Sequence, residues 1–151
     1  MSLHTRRMTD RARRVMSLAN DQSVRLNCPD VRPEHVLLAL AEEGIGVAAH
    51  VLMRSGVDFQ RLKRAAALNL RKREVVCDTS PLPLSSTTEQ LLARAEAECA
   101  ALGHGYIGTE HLLLGLTSMP ATSAHDMLAS LGVSSDTVRQ EVLSILGHDL
   151  A

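Results

Sequence analysis

Apolar side chains at Ala12, Val15, Met16, Ala19, Val24 and Leu26 recur at a spacing close to 3.6 residues. That period predicts an amphipathic helix capped by Thr9 or Asp10. The segment Asn27-Cys28-Pro29-Asp30 breaks it. Pro33 suits the first turn of a second helix, where its missing N–H costs nothing. This helix runs to about Glu43 and is apolar on nearly every side, which predicts a central, buried position. Gly44 and Gly46 punctuate the chain, Val47 to Arg54 forms a third helix stopped by Gly56, and Asp58 opens a fourth reaching about Leu70.

From Ser85 the same pattern restarts. Leu91 and Leu92 stand where Val15 and Met16 stood, Ala95 where Ala19 stood, Gly132-Val133 where Gly56-Val57 stood and Leu146 where Leu70 stood, all 76 residues on. The sharpest repeat is Glu34-His35-Val36-Leu37-Leu38-Ala39-Leu40 against Glu110-His111-Leu112-Leu113-Leu114-Gly115-Leu116. One offset without gaps implies a duplicated unit. The expected fold is all-α: two tandem four-helix repeats related by a pseudo-twofold axis, about eight helices. Residues 1–8 read as an N-terminal tail of the kind an expression vector leaves. Repeat 1 covers 9–70, a linker with Pro81 and Pro83 covers 71–84, and repeat 2 covers 85–148, the whole of 9–148 forming one domain.

Composition supports helices: 45% of the 151 residues are hydrophobic, yet there is one Phe, one Tyr and no Trp, so the core is aliphatic. No apolar run approaches the roughly 18 residues that span a bilayer. Cys28, Cys77 and Cys99 have no metal-ligand spacing and read as reduced thiols, which points to the cytoplasm. The net charge of −1 conceals an asymmetry, because residues 1–76 carry 14 Lys+Arg against 8 Asp+Glu while residues 77–151 carry 2 against 9. Such a molecule has a basic and an acidic end.

The candidate chemistry is sparse. There is no local ligand pair for a metal and no nucleophile motif, so neither a metal site nor catalysis nor a cofactor is expected. Arginines 6, 7, 11, 13 and 14 and the basic residues 61, 63, 64 and 71–73 leave a nucleic-acid-binding helical protein as the alternative reading. Phe59 and Tyr106 are the only aromatics that could stack on bases, and an acidic second half would repel a phosphate backbone. The plain reading of Glu34 and Glu110 is that each favours its helix N-terminus. Thr109 is then an N-cap, and His35 and His111 are structural, bonding across the repeat junction to lock loop geometry.

The string Leu102-Gly103-His104-Gly105-Tyr106-Ile107-Gly108-Thr109-Glu110-His111-Leu112-Leu113-Leu114-Gly115-Leu116 resembles the signature of the N-terminal repeat domain of Clp ATPases of the ClpA/ClpC type. Thr9 to Val15 resembles the opening of that domain, and Glu43-Gly44-Ile45-Gly46-Val47-Ala48 one of its turns. The resemblance implies a non-enzymatic module that docks adaptor proteins, protein substrates or a Clp ATPase, with Thr9, Arg13 and the Glu110 motif as the best candidate surface. It further implies that Glu34 and Glu110 hold phosphorylated arginine, the carboxylate taking the guanidinium and helix-start amides with the Thr109 hydroxyl taking the phosphoryl group. The first repeat departs from the pattern, with Arg32-Pro33 in place of Gly108-Thr109, so the second site is the stronger candidate. No G-x-x-x-x-G-K-[ST] phosphate loop accompanies the repeats. A standalone accessory protein is expected rather than a fragment of an ATPase.

Overall fold

A computed structural model describes residues 7–69 and 81–147. Eight helices fill them: α1 (Asp10–Arg25), α2 (Pro33–Glu43), α3 (Val47–Arg54), α4 (Phe59–Asn69), α5 (Ser86–Ala101), α6 (Thr109–Thr117), α7 (Ser123–Ser130) and α8 (Ser135–Ile145). Each helix of the second set starts 76 residues after its counterpart in the first. The expected all-α double repeat is therefore the observed fold. The linker read over 71–84 lies outside the described residues as far as residue 80, as do residue 70, residue 148 and the first six residues of the tail.

Local chemistry accounts for most boundaries. Thr9, Ser85, Thr122 and Ser134 each accept a hydrogen bond from the third amide of the helix they precede, as N-caps do. Gly103, at φ +73°, ends α5 in the left-handed region, and its counterpart after α1 is Asn27, at φ +55°. Helix α6 ends two residues before the position equivalent to the end of α2, because Pro120 stands where Gly44 stands in the first repeat.

The repeats are interleaved rather than laid side by side. Within each, the first helix packs on the second, while α3 packs on α6 and α8 and α7 packs on α2 and α4 of the opposite repeat. Two short parallel bridges seal the junction. Met8 pairs with Ile107 and Val31 with Leu84, the amides of Thr9 and Ser85 donating at 2.9 Å to the carbonyls of Ile107 and Val31. Met8 is 2% exposed, so the last residue of the expected tail is part of the core. The apolar runs of α2 (Val36 to Leu40) and α6 (Leu112 to Leu114) are fully buried at the centre of a core to which all eight helices contribute. Among the described residues no single helix is long and apolar enough to cross a membrane; α2 and α3 pass by composition only as a pair bent by 90°.

Candidate functional site

The interleaving brings three helix N-termini together twice. One cleft, of about 400 Å³, is lined by Thr9, Asp10 and Arg11 at the start of α1, Gly46 and Val47 at the start of α3, and Gly108, Thr109 and Glu110 at the start of α6. The other, of about 280 Å³, is lined by Ser85, Thr87, Ala121, Thr122, Ser123, Arg32, Pro33 and Glu34. Seven of those eight residues are the 76-residue counterparts of residues lining the Glu110 cleft, and the eighth, Ala121, is the counterpart of Ile45, which precedes Gly46. The clefts are thus two copies of one device, each built by both repeats.

In each, first-turn amides without intrahelical partners and the positive ends of three helix dipoles favour an anionic group. Each also holds one glutamate. Glu34 is 5% exposed and the Glu110 side chain 16% exposed. Burial raises both carboxyls above their usual range by stripping water from the charged form; their own backbone amides pull the other way, assisted by Arg32 at Glu34 and His104 at Glu110. A cleft offering amides beside a carboxylate suits a ligand that is anionic at one end and cationic at the other.

The copies differ in how they hold their shape. The Glu110 side chain folds back over Gly108, where any Cβ would collide with Glu110 Oε1. Arg32 carries a Cβ at that place, so the Glu34 carboxylate cannot occupy the equivalent position. The Arg32 guanidinium instead turns to Asp30, Nε donating to Oδ1 at 2.8 Å. Thr109 is the first residue of α6, not its N-cap; Gly108 holds that place. The Thr109 hydroxyl accepts a hydrogen bond from Ala48 N at 3.3 Å and so caps α3 of the other repeat, where Gly46 has no side chain to do so. A Cβ on Gly46 would lie 2.6 Å from that hydroxyl. Glu43 completes the turn, its Oε1 accepting from Gly46 N at 2.6 Å and Ile45 N at 3.2 Å. In the second copy the exchange is reversed, with Thr122 capping its own helix and Pro33 facing it without a hydroxyl.

His35 and His111 lie beneath the clefts, 0% and 1% exposed. Their bonds stay within their own repeats, which corrects the expectation of bonds across the junction. Nδ1 of His35 accepts from Arg32 N at 2.9 Å, and Nδ1 of His111 from Gly108 N at 2.8 Å. Each imidazole thereby plays the part of the N3 glutamate or glutamine of a capping box. With Nδ1 accepting, the ring proton sits on Nε2, which in His111 donates to His104 Nδ1 at 2.8 Å. Glu110 Oε1, 3.4 Å from His111 Nδ1, is consequently not an ion-pair partner. Burial lowers both rings to about 4, helped by the charge of Arg32 at His35 and by His104 at His111, while Asp30 and Glu98 oppose the shift at His35 and His111 respectively. Locking of loop geometry is what these bonds do.

Of the residues singled out from sequence, Thr9, Thr109 and Glu110 converge on one cleft and Glu34 lines the other. Arg13 does not line either; Arg11, half a turn away on α1, does. Gly46 and Val47 were not singled out, since only packing across the repeats brings the start of α3 to that of α6. Among the described residues no group of three His, Cys, Asp or Glu side chains is placed to hold a metal ion.

The family model for the Clp repeat (R) N-terminal domain matches residues 7–131 and, in a second match, 84–149. The "Negative regulator of genetic competence ClpC/MecB" of Bacillus subtilis is 33% identical over 143 residues, covering 95% of this chain and 17% of its own. The "Chaperone protein ClpB" of Oceanobacillus iheyensis is 34% identical over 145 residues, again covering 95% of this chain and 17% of its own. This chain therefore spans about a sixth of the length of those relatives. Among solved structures, the N-terminal domain of ClpD from Arabidopsis thaliana superposes with a TM-score of 0.79 at 22% identity, covering 93% of this chain and 98% of its own. A ClpV N-domain in complex with a VipB peptide superposes with a TM-score of 0.73 at 16% identity, covering 97% and 92%.

Proposed function

This chain belongs to the Clp repeat N-terminal domain family, and on that premise we propose that it is a protein-binding module of a Clp chaperone or protease system. It has no catalytic role of its own; it docks adaptor proteins, protein substrates or a Clp ATPase. The Glu110 cleft is the principal docking site, and it takes an arginine side chain, phosphorylated or free. The observation that carries this reading is the placement of one half-buried carboxylate among the starts of three helices. The guanidinium pairs with Glu110. A phosphoryl group meets the first-turn amides of α1, α3 and α6. The Thr109 hydroxyl, whose oxygen accepts from Ala48, keeps its proton to donate to that group. A complex between a ClpV N-domain and a peptide lends the docking role support by analogy of fold.

The Glu34 cleft is smaller, lacks that hydroxyl and carries its own guanidinium in Arg32, so it is the weaker site. Titration with free phosphoarginine, followed at the amides of residues 108–112, tests the assignment. Saturable shifts that Glu110→Gln removes support it. Unmoved amides at millimolar ligand refute the cleft while leaving the fold untouched.

A further inference from the structure

Because both clefts rest on the same backbone plan, differences between them are differences of side chain. Val47 lines the Glu110 cleft where Ser123 lines its twin. Ile45, 71% exposed, immediately precedes Gly46, and Tyr106, 63% exposed, lies two residues before Gly108. Their 76-residue counterparts beside the Glu34 cleft are Ala121 and Asp30. The exposed large hydrophobics among the described residues are Val24, Ile45, Met53 and Tyr106, so two of the four stand within two residues in sequence of glycines that line a single cleft. Apolar surface left in water at the edge of a polar pocket is an unspent source of binding free energy. A tyrosine there offers a large contact area at little cost in conformational entropy.

We propose that the Glu110 cleft binds an extended peptide whose arginine or phosphoarginine side chain enters the cleft while a large apolar side chain, one or two residues away, lies against Tyr106 and Ile45. The inference rests on the docking role given to the Glu110 cleft above. The charge of the cleft suits this occupant, because Glu110 and Asp10 offer carboxylates to a guanidinium while Arg11 and the first-turn amides favour a phosphoryl group. Spacing agrees: neighbouring residues of an extended chain advance about 3.3 Å each, so the apolar group stays within reach of segments that flank the lining residues. The same peptide finds no such side chains at the Glu34 cleft, where the corresponding positions are Ala121, Ser123 and Asp30.

Two fluorescent decapeptides test this, each with a central phosphoarginine, one flanked by leucines and the other by serines. They are titrated into the wild-type chain, the double variant Ile45→Ser with Tyr106→Ser, and Glu110→Gln. The exposed positions of Ile45 and Tyr106 leave the fold of the double variant intact. The leucine-flanked peptide is expected to bind the wild type about fivefold tighter, from roughly 40 Å² of additional apolar burial. The double variant is expected to lose that advantage while keeping its affinity for the serine-flanked peptide. Equal affinities in the wild type, or an undiminished advantage in the double variant, overturn the inference alone. Failure of both peptides to bind the wild type, or binding that Glu110→Gln leaves unchanged, overturns the docking role itself and the inference with it.

Discussion

Protonation of His35 and His111 sets how this fold responds to acid. Each ring accepts the amide of its own N-cap residue through Nδ1, a bond that the imidazolium form cannot make. Each titrates at about 4 in the folded chain, against about 6.5 for an ordinary histidine in the unfolded one. As pH falls below 6.5 the unfolded chain takes up protons that the folded chain refuses, so stability is lost progressively until the folded value near 4 is reached. At pH 5.5 the unfolded rings are about 90% charged and the folded ones almost neutral. The difference is about 1.4 kcal/mol per ring, or about 3 kcal/mol for the pair, relative to pH 7.5. In a domain of this size that lowers Tm by about 8 °C.

Glu34 and Glu110 act in the opposite sense. Their raised carboxyls take up protons in the folded chain before they do so in the unfolded one, which adds stability at the acid end of the range. The measurement is therefore read between pH 7.5 and 5.5. The informative variant is His35→Gln combined with His111→Gln, because glutamine at N3 still accepts the N-cap amide but does not titrate. Urea unfolding at each pH is expected to show the wild type losing about 3 kcal/mol, each single variant about half of that, and the double variant little. Absolute stabilities will differ among the four proteins, so the slope against pH is the readout. A double variant with the wild-type slope would refute the assignment.

Other outcomes follow from individual contacts. Thr109→Val removes the cap on α3 and should cost about 1 kcal/mol with a displaced Ala48 amide resonance, whereas Thr109→Ser should keep both. Gly115→Ala would place a Cβ 3.0 Å from Leu91 O and 3.1 Å from Ala95 N, so crowding of about 1–3 kcal/mol should outweigh its gain in helix propensity and lower the urea midpoint. Asn27→Gly relieves a left-handed residue where the second repeat already has Gly103, and should raise Tm by a few degrees, about 1 kcal/mol at most. Gly108→Ala displaces only the flexible end of Glu110; it should leave unfolding nearly unchanged but weaken phosphoarginine binding about tenfold, as calorimetry would show.

The helices were legible because a duplication lets each half check the other. A 3.6-residue pattern at residues 12–26 is weak alone, yet it returns at 91–102 with the same phase. Legibility failed where tertiary contacts override periodicity. Val24, on the expected apolar face of α1, is 40% exposed, while Gln22 and Ser23 are buried. Gln22 is inside because its Nε2 donates to Glu42 Oε2 at 2.8 Å, and Ser23 because its hydroxyl donates to Asp30 O at 2.6 Å and so closes the turn after α1. No local pattern announces such bonds. Met8 was lost to the tail for a similar reason, since its burial depends on pairing with Ile107 almost a hundred residues away.

The cleft shows why a motif can be right in its residues and incomplete in its meaning. Gly-Thr-Glu-His reads as one local unit, but its four residues have different tasks: Gly108 makes room for Glu110, Thr109 caps a helix of the other repeat, and His111 ties down the amide of Gly108. Only Glu110 lines the cleft without a structural duty beyond its own helix start. The glycine at position 46 belongs to the same arrangement, because Thr109 can reach Ala48 only where no Cβ intervenes. In the other copy a threonine at 122 supplies its own cap, and a proline at 33 then suffices opposite it. A hydroxyl at position 109 and a bare glycine at 46 are thus one coupled choice, and so are Pro33 and Thr122. Exchanging single members between copies leaves α3 or α7 with no cap or with two side chains in one space, so the pairs change together. The same coupling leaves the Glu110 cleft the larger of the two, with an uncommitted hydroxyl proton at its base.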